Sequence, residues 1–333
     1  LAVLAVTAGN EASLRTQTAA CAAGDVLAIP GGVYNMTAQW TVSKGIFIQY
    51  DSTVGGNSGG VRVNALSGQH GINIDNSAAS ISRLNLSRIK FTSGGGTSNG
   101  INFVAPGGSS FALSHFRAES CDCVNFSNGV FVDNSGSGTG GSAGLGTQFV
   151  FYDLDVSGST SRGIVLKNLS VCEIENCEVN SSGLNGIWAN ACGNLGIRKS
   201  ASEGNNTTND TSEEGASQVL VKLSHGFAID NLDIESLPTN AAAAKVGVCV
   251  SRCFGGSITA LAVTQTGTTF YANSKGVYLF GGTRGMSKID VITKQITTPI
   301  AKDVQSVLPP PEAMFTFQVS PYSEAFAGLQ TSG

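Results

Sequence analysis

Two acidic side chains, Asp155 and Glu178, stand 23 residues apart in stretches that read alike, FVFYDLDV (Phe149–Val156) and CEIENCEV (Cys172–Val179). If these stretches stack as neighbouring strands, ~4.8 Å apart, the carboxyls fall near the ~5 Å separation of a retaining glycosidase's acid and nucleophile. Two carboxylates that close also push one pKa up, as an acid–base pair needs. The alternative reading is an ordinary solvated acidic face. A second group is Trp188, with Lys167 and Lys222 on neighbouring repeats, Asn190 two residues on, and Tyr278 further along. An exposed aromatic face can stack a sugar ring, the amide can bond hydroxyls and a lysine can pair with a uronate carboxylate. Burial of Trp188 beneath a long insertion, or in a subunit contact, is the competing expectation. Asp155 and Glu178 are thus the catalytic candidates, and Trp188, Lys167, Asn190, Lys222 and Tyr278 the substrate-binding ones.

Placing them on one surface requires a repeat. Gly163–Leu166 (GIVL) and Gly186–Ala189 (GIWA) begin successive copies, and similar starts occur at Gly71, Gly100, Val124, Val219, Gly247 and Gly276. Recurrence at roughly this period, built from strands, marks a solenoid. A second half-repeat follows each start: Phe111–Ala118, Phe149–Val156, Cys172–Val179, Phe227–Ile234 and Gly256–Val263. Its first, third, sixth and eighth positions are apolar and face a core. Between the third and sixth the alternation slips by one residue, which turns a corner between sheets. The polar residue at that corner, His115, Asp153, Asn176 or Asn231, is expected to form an internal ladder. The seventh position, outward, carries Arg117, Asp155, Glu178, Asp233 and Asp290.

Composition agrees with many short strands and tight turns: of 333 residues only 13% are charged and 43 are Gly. The net charge of −4, with no Lys/Arg cluster, excludes a nucleic-acid footprint. No apolar run reaches the ~18–20 residues of a membrane span; Leu1–Val6 is either a trimmed leader or a capping strand. Eight cysteines lack zinc-knuckle spacing. Several occupy inward positions and read as buried thiols, with disulfides as the alternative. No cofactor is called for, and no clear calcium site is visible.

Ala12–Tyr34 reads as a short amphipathic helix, then Gly-Asp, a strand and Pro-Gly-Gly before Val-Tyr. This opening resembles the N-terminal cap of pectate-lyase-like right-handed β-helices, a group that includes phage tailspikes, polysaccharide lyases and epimerases. The resemblance covers about 30 residues and implies an architecture: an all-β, single-stranded right-handed parallel β-helix of about nine or ten coils, with a short capping helix. The expected organisation is a cap over 1–34, the β-helix over 35–307 and a C-terminal cap or oligomerisation tail over 308–333, where Pro309-Pro310-Pro311 stops the coil. Two insertions, Asn134–Thr147 and Glu203–Ser217, flank the first strand of the repeat and can wall a groove.

Motifs of individual enzyme families are mostly missing. Arg88-Ile89-Lys90 comes too early for a polygalacturonase-like enzyme, and Ser224-His225-Gly226 has no paired Asp-Asp upstream. The three His form no triad with Ser and Asp. The resemblance therefore implies a glycan-recognising surface β-helix, tailspike-like, that takes a surface polysaccharide at the virion surface or outside the cell, forms a homotrimer if it is a spike, and cleaves the polymer it holds. The alternatives are a secreted monomeric lyase or glycoside hydrolase, and a structural or adhesive spike without catalysis.

Overall fold

The computed structural model describes residues 1–53, 60–93, 98–106, 113–136, 148–237, 245–265 and 271–319. The chain winds as a parallel β-helix. Each full coil contributes one strand to a first sheet, then one to a second and one to a third. The first sheet has ten strands, from Thr41–Val42 to Ile296–Lys302. The second and third sheets join at their shared corner. The pairings among the described residues are parallel, and most hold the copies in register, as in Ile164↔Ile187↔Val219↔Val248↔Val277, with register shifts near Gly256–Leu261 and Tyr271–Lys275. Inward positions, spaced by two along each strand, stack Ile, Val, Leu and Phe into one continuous core.

The N-terminal end is closed by the helix Glu11–Ala20. Asn10 caps it, its side chain accepting from the Ser13 N–H at 2.9 Å. Leu14 and Thr18 face the first coil, where the Trp40 indole N–H donates to Thr18 Oγ1 at 3.0 Å. Asp25 accepts from the backbone N–H groups of Ala2 and Ala22, which hold its carboxyl below the usual range. The Leu1–Val6 stretch contributes the strand Val3–Ala5, paired with Val26–Ala28.

Corners between the second and third sheets turn on a single left-handed residue. Arg88, Ser120, Asp153, Asn176, Lys199, Asn231 and Ala260 all have φ between 49° and 59° apart from Lys199 at 47°. One αL residue bends the chain while its amide stays in the ladder: Ser120 N–H bonds Tyr152 O and Asp153 N–H bonds Glu175 O, each at 3.0 Å. Asn and Asp tolerate this region better than most residues. Their side chains point outward. The expected internal ladder is therefore an external one: Asp153, Asn176 and Asn231 are exposed, and the Asp153 carboxylate accepts from Ser120 Oγ at 2.7 Å and Asn176 Nδ2 at 3.0 Å.

Two frames read from the sequence are also shifted. Phe116, not Phe111, pairs with Phe149, so the half-repeat runs Phe116–Cys123, its corner is Ser120, and Asp122 rather than Arg117 lies beside Asp155. His115 stands before this strand turns, with Nδ1 3.1 Å from the Ser82 carbonyl. Val124 belongs to the third sheet; the first-sheet strand is Asn128–Asp133, in which Val130 pairs with Ile101 and Ile164 and Gly129 takes the place of the opening glycine. Both errors arise from alternating apolar residues that satisfy two registers equally well.

The internal polar ladder lies instead at the corner between the first and second sheets. Cys192 N–H donates to Ser224 Oγ (3.0 Å), Ser224 N–H to Cys253 Sγ (3.4 Å), Cys253 N–H to Thr283 Oγ1 (3.2 Å) and Thr283 N–H to Ser306 Oγ (3.1 Å). Small side chains satisfy amides that the turn takes out of the sheet, each bond contributing about 0.5–1.5 kcal/mol. All eight cysteines are free and buried, and burial raises the Cys121 and Cys177 thiols to about 12 and Cys253 to about 11. None of the eight should react with a maleimide in the native protein, and all should react in guanidinium, as counted by mass spectrometry.

The glycines at the start of most first-sheet strands serve close approach. A Cβ on Gly163 would overlap the Val179 side chain and come 2.5 Å from Gly186 O. Gly163→Ala should lower stability by about 1–3 kcal/mol in urea unfolding, through overpacking against the neighbouring coil.

Candidate functional site

The third sheet aligns one outward column: Val33, Arg62, Lys90, Asp122, Asp155, Glu178, Ala201 and Asp233, each one coil from the next. Its middle lines a groove of about 660 Å³ at the corner with the second sheet. Asp122, Asp153, Asp155, Glu178 and Asp233 face this groove with Lys199, Asn176 and Asn231. Asp155 and Glu178 are thus brought together on adjacent strands. Asp290 is not with them, because it pairs with Phe315 and sits on the second-sheet side of the corner.

The carboxylates differ in their surroundings. Lys90 Nζ lies 3.2 Å from Asp122. Glu178 Oε1 accepts from Asn180 Nδ2 at 2.9 Å. Asp155 is pushed above the usual carboxylate range, first by the groove displacing water from it and then by Asp122 and Glu178, against the pull of Lys90. Asp233 is raised by burial and by Glu235, and Glu203 by burial and by Glu235, Glu178 and Asp233. Acids in register along a stack repel one another, and Asp122 and Glu178 in this way add to burial in raising Asp155. Asp122 escaped the sequence reading because of the shifted frame; its Asp-Cys step after a Ser corner, matching Asp155-Val and Glu178-Val, was the available signal.

On the first sheet the expected exposed face is a second, covered layer. Leu220 and Cys249 are buried against Val246, with Trp188, Tyr278 and Phe280 packed on them. The insertion after Glu203 folds back as the short helix Glu213–Ala216. Its Glu214 bonds Lys222 Nζ at 2.5 Å and also accepts from Ser251 Oγ. Lys167 pairs with Asp133 at 3.2 Å and sits 5.2 Å from the Trp188 ring centroid, while the Arg162 guanidinium lies 4.4 Å from it. Trp188 is half-buried, and its Nε1 and Asn190 Oδ1 are buried without a hydrogen-bond partner. Tyr278 is likewise half-buried, under Lys275 at 4.4 Å. Trp188, Lys167, Asn190, Lys222 and Tyr278 do share one face, on which both aromatic rings are half-buried and both lysines are paired with acids. Of the other insertion, residues 137–147 lie outside the described residues.

Among the described residues no group of three or more His, Cys, Asp or Glu is arranged to hold a metal ion, and no helix is long and apolar enough to cross a membrane.

The chain belongs to the right-handed β-helix family: the family model for a right handed beta helix region matches residues 128–297, just over half its length. No curated protein matches the sequence. The enzymatically active domain of tailspike protein 2 of bacteriophage CBA120 superposes with a TM-score of 0.55 at 11% identity, covering 95% of this chain and 41% of that one. Full-length tailspike protein 2 from an Escherichia coli O157:H7 bacteriophage gives 0.55 at 12% identity, over 85% and 40%. The A-module of the Azotobacter vinelandii mannuronan C-5 epimerase AlgE4 gives 0.51 at 13%, over 95% and 96%. At such identities these are likenesses of fold. The chain spans less than half the length of the tailspike chains it resembles.

Burial would raise the Glu214 carboxyl, but the bonds from Lys222 and Ser251 hold it below the usual range. Its contribution to stability is therefore present above the ordinary carboxylate pKa and lost as pH falls through the lowered folded value. Glu214→Ala should destabilise the protein by about 1–3 kcal/mol at pH 7. The gap from wild type should narrow in acid, as read by urea unfolding at several pH values.

Proposed function

We propose that this protein is a glycan-active β-helix that holds a polysaccharide along the third-sheet groove and hydrolyses it there. Asp155 is the general acid and Glu178 the nucleophile. The observation that carries this reading is geometric: Asp155 and Glu178 face one groove a single ladder step apart, with Asp155 raised first by burial and then by Asp122 and Glu178. In this mechanism Asp155 gives a proton to the leaving oxygen and Glu178 attacks the anomeric carbon. Their spacing of one ladder step, ~4.8 Å, suits a retaining double displacement. Water, deprotonated by Asp155 in the second step, then releases the glycosyl group. The strongly acidic groove favours a neutral or cationic polymer over a uronate chain, by charge alone.

The likeness to tailspike domains supports a place on a virion surface or outside the cell, with a surface polysaccharide as partner and a homotrimer as the assembly. A second reading keeps the groove but moves the pair. Ala201 separates Glu178 from Asp233 by two ladder steps, ~9.6 Å, a spacing at the upper end of the inverting range. A non-catalytic adhesive spike is the third reading, and would bind the polymer without releasing reducing ends.

Incubation with a panel of neutral, amino-sugar and acidic polysaccharides, followed by reducing-end assay, tests the reading. Asp155→Asn and Glu178→Gln should each lower the rate at least ~10²-fold, with Asp233→Asn close to wild type. Proton NMR of the first-formed anomer should show retention. Inversion with a dependence on Asp233 would favour the second pair, and no cleavage of any polymer would sink hydrolysis. The rate should fall as pH rises through the raised Asp155 value, because the acid must be protonated.

A further inference from the structure

The groove assigned above is acidic, but a second depression on the N-terminal coils is basic and has no role in that reaction. It lies on the outer face of the second sheet, with a volume of about 320 Å³, and Phe47, Arg83, Asn85, His115, Arg117 and Gln148 line it. It continues into a hollow of about 560 Å³ that shares Phe47, Arg83 and His115 and has Gly24 and Gly45 in its wall. Ladder register accounts for the cluster. Asn85 pairs with Arg117 and with Phe47, and the bridge Ile81↔Leu113 sets Arg83 beside His115. Residues two apart on each strand share a face, so Arg83, His115 and Arg117 line one depression with Phe47, which stands one ladder step from Asn85 and two from Arg117.

Their present partners leave donors free. Arg117 Nε is held by Glu119 at 2.9 Å, with its guanidinium 5.5 Å from the Tyr152 ring centroid; its terminal N–H groups are not used by that bond. Arg83 makes no ion pair with any described residue and is exposed. His115 uses Nδ1 toward the Ser82 carbonyl, which leaves Nε2 as the open ring nitrogen. Gly45 has no room for a side chain, because its Cβ would meet the Arg83 backbone, and the hollow stays open beside Phe47. Forked guanidinium donors match carboxylate geometry; an aromatic ring and flanking amides match a sugar's apolar face and hydroxyls.

We propose that this depression is a binding site for a short acidic saccharide, its carboxylate held between Arg83 and Arg117 and its ring set against Phe47. The acids that follow along the same sheet, Glu119, Glu173 and Glu175, would repel a long polyanion such as a nucleic acid. The site thus selects one or a few anionic units. It stands apart from the hydrolytic groove and does not require that groove to be catalytic.

The test is calorimetric titration of the whole protein with tetragalacturonate and with its neutral counterpart, galactotetraose, at 50 and 300 mM NaCl. Tetragalacturonate should bind at least tenfold more tightly than galactotetraose and weaken at the higher salt. The double variant Arg83→Ala/Arg117→Ala should lose at least tenfold in that affinity, and circular dichroism should remain that of wild type. Phe47→Leu should weaken both ligands alike. Equal binding of the two tetrasaccharides, or full binding by the correctly folded double variant, would overturn the proposal. So would tighter, Arg83-dependent binding of a sulfated tetrasaccharide or of a short oligonucleotide, which would reassign the site to another anion.

Discussion

Everything in this molecule depends on keeping one coil directly above the next. The parallel backbone ladder fixes the step along the axis, and a single left-handed residue per corner lets the chain turn without leaving that ladder. Any extra or missing residue within a strand would move every side chain after it to the opposite face. Long insertions therefore fall in turns between strands, as where Glu203–Ser217 loops out beside the first sheet and returns. The corner side chains point outward, and the inner amides of the neighbouring turn are satisfied by the side chains of Ser224, Cys253, Thr283 and Ser306.

Stacking turns sequence into columns, and columns into electrostatics. Along the third sheet the outward row passes from Arg62 and Lys90 to Asp122, Asp155 and Glu178, with the ion pair Lys90–Asp122 at the junction. One side of the helix thus presents cationic character on its first coils and acidic character on its middle ones, although the chain's net charge is only −4. Like charges one ladder step apart are close enough to shift each other's protonation. A solenoid can therefore build a titrating pair from residues that are remote in sequence and lie on no common loop.

The face of the first sheet shows the opposite outcome. Its outward row is apolar from Val165 to Cys249, and a solvent-facing apolar stripe is unfavourable, so the Glu213–Ala216 turn folds onto it and locks through Glu214. Lys167 and Lys222, which alternation along the strands places correctly on that face, end as partners of Asp133 and Glu214.

By itself the sequence determined the solenoid, its capping helix, the opening glycines, the inward row and the adjacency of Asp155 and Glu178. Those follow from period and alternation, which are local properties of a strand. It did not determine the frame of the coil before Gly129, where FALSHFRA and FRAESCDC both alternate acceptably, and so it hid Asp122 and misplaced His115 and Arg117. Nor did it show that Arg162 and Lys167 lie over a half-buried Trp188, or that Arg83 and Arg117 line one depression with Phe47. Register between coils, and the path of an insertion across a sheet, are decided by contacts between residues 20 or more positions apart, and only the folded chain brings those together.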